Sequence, residues 1–230
     1  MISFRDTKKE VNTDVPNVEK DLVTEKSKLS SEQSKLYWDS LFQNNASETK
    51  SSLVEDDLSE EEIFNEIFSK NENDFDFPYD ISGANIETAL QEFNDDVWTE
   101  KTIESKKESI DRFVNCIGKD ILDLDEIPPV ELFEGESYEL GAYIYPANRI
   151  EVNQELLNDP SKLLNSLAHE MRHAYQHKRA ILLETRLDYL YKYNFEHYIA
   201  PSSFFMLYQN QLVESEARAF ANLFNQKGEA

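Results

Sequence analysis

A chain of 230 residues with 23 basic against 46 acidic side chains carries a formal net charge of −23. That balance excludes sequence-independent nucleic-acid binding and docking on anionic membranes, since both need a basic surface. The single cysteine, Cys116, excludes an internal disulfide framework and a cysteine-based zinc site; its expected role is that of a small buried apolar residue on a helix.

The amino terminus, MISFRDTKKEV, lacks the apolar core of a secretory signal. No stretch approaches the roughly 18 uninterrupted apolar residues of a membrane span. A cytoplasmic location is therefore expected, or export by a route that reads no such signal. Residues 1–84 are charged, Ser-rich and poor in large apolar side chains, so an acidic and largely flexible arm is expected there. Two apolar patches interrupt it, KLYWDSLF at 35–42 and LSEEEIFNEIFSK at 58–70. The second reads as a short helix, with Ser59 as N-cap, Glu62 completing a capping box, and Ile63/Ile67 and Phe64/Phe68 four residues apart. Such patches suit either docking to a protein partner or folding back on the rest of the chain.

Ordered structure is expected from about Ile86–Trp98, opening a domain over 85–230. From Thr99 a helix is expected through EKTIESKKESIDRFVNCIGKDIL, with Ile103, Ile110, Phe113, Val114, Ile117 and Ile121 on an apolar stripe. The period then changes. IPPVELFEG and GAYIYPANRIEVN are short, β-branched and aromatic, broken by Pro, Gly and Asn, as strands and turns are. In RIEVN, Ile150 and Val152 alternate with polar neighbours, which predicts a half-exposed strand. Asp159-Pro160 is a helix start, N-cap followed by proline at the first helical position. The helix that follows should bury Leu163, Leu164, Leu167, Ala168, Met171 and Ala174. An aromatic connector then leads to a last helix, QLVESEARAFANLF.

The chemistry lies in LAHEMRHAYQH at 167–177. On a helix, His169 and His173 stand one turn apart on one face and can offer two imidazoles to a single ion. Glu170 projects beside the ion, where it can hold a water and accept its proton. Zinc in a hydrolase usually takes three protein ligands, so one more is needed. His177 drifts round the helix, away from the His169–His173 pair, and reads as a polar residue on the helix flank. The longer H-E-x-x-H-x-x-G-x-x-H pattern fails at Gln176 and Arg179. His197, in the connector, could be a ligand, a donor to the reacting group or a surface residue. The preferred third ligand is Glu214 on the last helix. Glu216 is the rival, turned about 200° from it, and small Ala217 lets the two helices approach.

His169-Glu170-Met171-Arg172-His173 followed by Glu214-Ser215-Glu216-Ala217-Arg218-Ala219-Phe220-Ala221 resembles the small gluzincin metallopeptidases, in the style of the ImmA/IrrE type, and GAYIYPANRIEVN resembles the sheet edge before their active helix. The resemblance spans roughly residues 97–226. It departs where Arg172 replaces a frequent Gly and Arg218 a frequent Asp or Asn, and the connector between His173 and Glu214 is long. It implies an α+β, zincin-like domain with helices packed on a small sheet, Zn2+ on His169, His173 and Glu214, and Glu170 as general base. The activity implied is endopeptidase hydrolysis of one or few protein substrates. For the oxyanion, Tyr208 and His197 are the first candidates, ahead of Tyr198 and Arg172. The strand around Tyr143–Val152 would take an extended substrate by edge addition. The rival expectations are a non-catalytic, zinc-containing interaction protein and a secreted effector with a protease domain.

Overall fold

The structure, a computed structural model, describes residues 59–79 and 81–225. Among the described residues, eight helices pack on a small mixed three-stranded sheet, which is the α+β class expected. The 35–42 patch lies outside the described residues. No helix among the described residues is long and apolar enough to cross a membrane.

Helix α1 (Glu60–Ser69) begins with the expected capping box. The Glu62 backbone N–H donates to the Ser59 hydroxyl at 3.3 Å, and the Ser59 N–H donates to the Glu62 carboxylate at 2.9 Å. Ile63 and Ile67 are buried against Ala180, Tyr191, Leu212 and Val213, whereas Phe64 stays exposed and meets Phe68 at 4.6 Å. Downstream, Phe77 and Tyr79 set their rings at 5.7 and 5.9 Å from Phe220. Ion pairs Glu66–Arg186 and Glu72–Arg218 hold the same stretch. Among the described residues, packed structure is thus already present at 59–79, ahead of the expected Ile86–Trp98. The apolar residues of 59–79 are too few for a core of their own, but they complete a core that the last three helices leave open.

Helices α2 (Ala84–Gln91) and α3 (Asp95–Thr99) precede α4 (Ile103–Cys116). The helix expected from Thr99 begins four residues later, because Thr102 caps it by accepting the Ser105 N–H at 3.2 Å. Five residues of the predicted stripe are buried, and Ile103, at the first helical position, is the exposed exception. A π-type turn, Ile117–Ile121, ends the helix. Gly118 sits there, where a Cβ would collide with the Ile127 side chain and stand 3.1 Å from that of Met171. Cys116 is half-buried rather than buried.

Strands β1 (Val130–Phe133), β2 (Gly141–Ile144) and β3 (Arg149–Asn153) lie in the order β1-β3-β2. β1 runs parallel to β3 and β2 antiparallel. Ile150 and Val152 point into the core as their alternation predicts. β2 is left at an edge beside α5 (Pro160–Leu182). Asp159 caps α5 from its side chain to the Lys162 N–H, Pro160 occupies the first turn, and Leu183 closes it in the left-handed region. All six predicted core residues of α5 are buried. After α6 (Arg186–Glu196) and α7 (Phe205–Asn210), α8 (Leu212–Asn225) packs along α5, with Ala217 wholly buried where they meet.

A candidate metal centre between α5 and α8

His169 and His173 lie mid-way along a capped 23-residue helix, and Glu214 lies in the first turn of α8. Their ligand atoms converge. His169 Nε2 and His173 Nε2 are 3.0 Å apart, and they stand 3.3 and 3.5 Å from the two Glu214 oxygens. Ligand atoms held about 2.0–2.1 Å from a tetrahedral zinc are separated by roughly 3.3 Å. The three side chains could therefore hold one metal ion with little movement. Glu214 Oε2 is buried and stands 3.3 Å from His169 Nε2, and Oε1 faces His173 Nε2, so the carboxylate presents both oxygens to the imidazole ligand atoms. Two neutral nitrogens and one carboxylate are a borderline-soft donor set that suits zinc better than magnesium or calcium.

The protonation of the metal-free site follows from the same geometry. Burial would push His173 down, but the adjoining Glu214 carboxylate overrides it and holds the imidazole at about 9. Burial would likewise raise Glu214, and the charge of His173 with hydrogen bonds from both histidines holds it well below the usual carboxylate range. His173 and Glu214 therefore form an imidazolium–carboxylate pair, whose proton a metal ion would have to displace.

Behind His173 stands a hydrogen-bonded network. Gln176 Nε2 donates to Val213 O at 3.0 Å and to Glu216 Oε2 at 2.8 Å. Its oxygen must therefore face His173 Nδ1, 2.8 Å away, which places the imidazole proton on Nδ1 and leaves Nε2 as the ligand atom. Glu216 Oε1 accepts from Arg172 Nη2 at 2.5 Å and from the Tyr191 hydroxyl at 2.7 Å. Arg172, buried, also donates to the Tyr79 hydroxyl at 2.9 Å and lies among the rings of Phe77, Tyr79, Tyr175 and Phe220. Both oxygens of Glu216 are engaged away from the imidazole Nε2 atoms, which separates it from Glu214. Sequence reasoning missed Gln176 and treated it only as a departure from the longer pattern. Its place three residues after His173, on the same helix face, was the available signal.

Glu170 stands beside the group rather than in it. Its Oε2 accepts the Tyr143 backbone N–H at 2.7 Å, so the β2 edge holds the carboxylate in place. On the α8 side, the Tyr198 hydroxyl donates to Glu214 Oε1 at 2.6 Å. Tyr208 faces the same carboxylate, and burial with that charge pushes its phenol up. Arg218, the departure from the gluzincin pattern, spans Glu72 and the Gln209 carbonyl, with Nη1 3.9 Å from Glu214 Oε2. No family model, no curated protein and no solved structure matches this chain.

Three candidates fall elsewhere. His197 donates its Nδ1–H to Tyr193 O at 2.9 Å and stacks on the Tyr193 ring at 4.1 Å, an arrangement that serves as a helix C-terminal contact. Arg172 is bound within the Glu216 network. His177 is not on a polar flank: its ring is buried between Tyr145 at 4.7 Å and Phe195 at 3.7 Å, and burial lowers its pKa well below the usual value. The helical drift that turns it from the metal turns it toward β2 instead.

Proposed function

We propose that this chain is a zinc-dependent endopeptidase with a zincin-like, mini-gluzincin domain, acting on peptide bonds of one or few protein substrates. The observation that carries the reading is the convergence of His169, His173 and Glu214, with Glu170 adjacent to them and outside the ligand set. A purely structural site has no use for a held carboxylate at that position. His169 Nε2, His173 Nε2 and Glu214 would hold Zn2+, which supplies Lewis acidity: it polarises a peptide carbonyl and makes water acidic enough to lose a proton near neutral pH.

The chain's own groups do the rest. Glu170 accepts the proton of the attacking water, and the Tyr143 N–H on Oε2 fixes its carboxylate for that transfer. It then returns the proton to the leaving amine. The raised pKa of Tyr208 keeps its phenol protonated at neutral pH, as a donor to the developing oxyanion must be. Tyr198 holds Glu214 by a hydrogen bond that also directs its second oxygen. Gln176 keeps His173 in the ligating tautomer.

The test uses the zinc-loaded full chain and a proteome-derived peptide library, with wild type and Glu170→Gln side by side. Equal zinc with cleavage reduced by about 10²-fold or more in the variant is the expected result. Full zinc with no cleavage by either protein would instead make the chain a non-catalytic zinc-containing interaction protein.

A further inference from the structure

A cleft of about 390 Å³ opens between the C-terminal half of α5, the end of β2 with its following turn, and the loop at 123–126. We propose that it is a specificity pocket that takes a bulky apolar side chain of an extended peptide lying along β2. The proposal rests on the peptidase reading and deepens it by naming the substrate class.

The walls are apolar where a side chain would enter. Leu124, Ala174 and Ile181 supply the aliphatic surface, and Tyr143, Tyr145 and His177 supply rings. These rings are already packed on one another, with His177 at 5.5 Å from Tyr143 and 4.7 Å from Tyr145, so the aromatic wall is preformed. The opposite wall is tied down as well. Lys178 on α5 donates to the Asp123 carbonyl and pairs with Asp125 at 3.0 Å, which fastens the loop to the helix. The Tyr143 hydroxyl bonds Asn148 Oδ1 at 3.0 Å and steadies the turn after β2. A pocket held on both sides loses little freedom when a ligand enters.

The cleft lies beside the candidate metal centre, along the same helix. Ala174 directly follows His173, and His177 lies one turn on. Tyr143 serves both places, its backbone N–H bonding Glu170 and its ring lining the cleft. The strand register points the same way. Tyr143 pairs with Ile150, and the Asn153 N–H bonds the Leu140 carbonyl, so the backbone groups of Gly141 and Tyr143 are directed away from β3, toward α5 and the metal centre. In an extended peptide along that edge, every second side chain, about 7 Å apart, projects to one face. A residue on the cleft side of the scissile bond drops one such side chain into it.

Charge narrows the class further. Asp125 and Glu126 stand on the rim against Lys178 alone, within a chain of net charge −23. Acidic residues beside the bulky one are therefore disfavoured. The fitting substrate is a neutral or basic peptide with Phe, Tyr, Leu or Met at one position near the cut.

The test uses zinc-loaded full-length protein and fluorogenic peptides that differ at one position, carrying Phe, Leu, Ala or Asp. The same peptides are bound to zinc-loaded Glu170→Gln and followed by calorimetry. Burying a large apolar side chain predicts a Phe-over-Ala preference of about 30-fold in kcat/KM and in Kd. The ratio should fall below about 3-fold when a charge enters the pocket through Ile181→Asp. Leu182→Asp, at an exposed cleft position where folding is safe, should lower it in the same direction. A ratio near one in wild type, or a ratio kept in both variants while cleavage continues, overturns the pocket and leaves the peptidase reading standing. Binding preference that both variants abolish, in a protein that cuts none of the peptides, supports the pocket and overturns the peptidase reading.

Discussion

Glu216→Gln is the sharpest probe of the network behind the metal centre. In the native protein Glu216 accepts from three donors: Arg172 at 2.5 Å, Tyr191 at 2.7 Å and Gln176 at 2.8 Å. An amide in its place has one oxygen and one NH2, so whichever way it faces it sets an N–H against a donor. If the NH2 meets Arg172, a buried guanidinium loses its charged partner, at a cost of about 3–5 kcal/mol. If it meets Gln176, that amide tends to flip, its oxygen leaves His173 Nδ1, and the imidazole proton moves to the ligating Nε2. Loss of such an outer partner typically weakens metal binding about 10–100-fold. The expected result is therefore a stability loss on the order of 3 kcal/mol in urea denaturation with chelator present, together with zinc affinity at least about tenfold weaker in competition with a fluorescent zinc indicator. Unchanged stability with zinc lost as completely as in Glu214→Ala would refute the reasoning and make Glu216 the ligand. Zinc affinity within about twofold of wild type would remove Gln176 from control of the His173 tautomer.

Zinc binding should release protons. The metal-free protein holds His173 protonated up to about 9, so zinc at pH 7 must displace that proton, and affinity should climb with pH and level off near 9. Calorimetry in buffers of different ionisation enthalpy measures the release, and a pH-independent affinity between 6 and 8 would contradict it. Glu92 gives the acid dependence of stability. Hydrogen bonds from Arg112, Ser109 and Lys101 hold its carboxyl down to about 2, against the opposing effect of burial. A depressed carboxyl stabilises above its unfolded pKa, and that contribution is lost as pH falls from about 4.5 toward 2. Glu92→Gln should flatten the unfolding free energy against pH in that window, by an amount on the order of 1 kcal/mol for so accessible a network, as urea denaturation would measure. Ile67→Ala should cost about 2–4 kcal/mol, since the side chain is 2% exposed within the α1, α6 and α8 cluster. A cost near zero would mean that α1 is an appendage rather than part of the core.

The candidate metal centre was legible because helical spacing alone brings His169 and His173 together, and because Glu214 and Glu216 sit on different sides of α8. Capping chemistry located α1 and α5 to the residue, at Ser59 and at Asp159-Pro160. Other features depend on contacts between elements that no local pattern encodes. Ile63 and Ile67 read as a patch on a largely flexible arm, for docking or for folding back, because a core shared with Tyr191 and Val213 appears only when α6 and α8 fold over it. Arg172 stood among the lower-ranked oxyanion candidates, yet its partners Tyr79 and Glu216 stand 93 residues before it and 44 after it. Helical drift turns His177 away from His169 and His173, but the rings that bury it come from the turn after β2 and from α6. Tyr143, whose backbone rather than side chain holds Glu170, carries no side-chain signature for that role.

X-ray absorption at the zinc edge tests the central claim most directly, on the zinc-loaded full chain compared with Glu214→Ala. The expected spectrum is one zinc per chain with two imidazole ligands and oxygen donors at about 2.0–2.1 Å, and no sulfur. Glu214→Ala should fall well below one zinc per chain under the same loading. One imidazole or none around the metal, or a spectrum and stoichiometry unchanged in Glu214→Ala, would contradict a centre built from His169, His173 and Glu214.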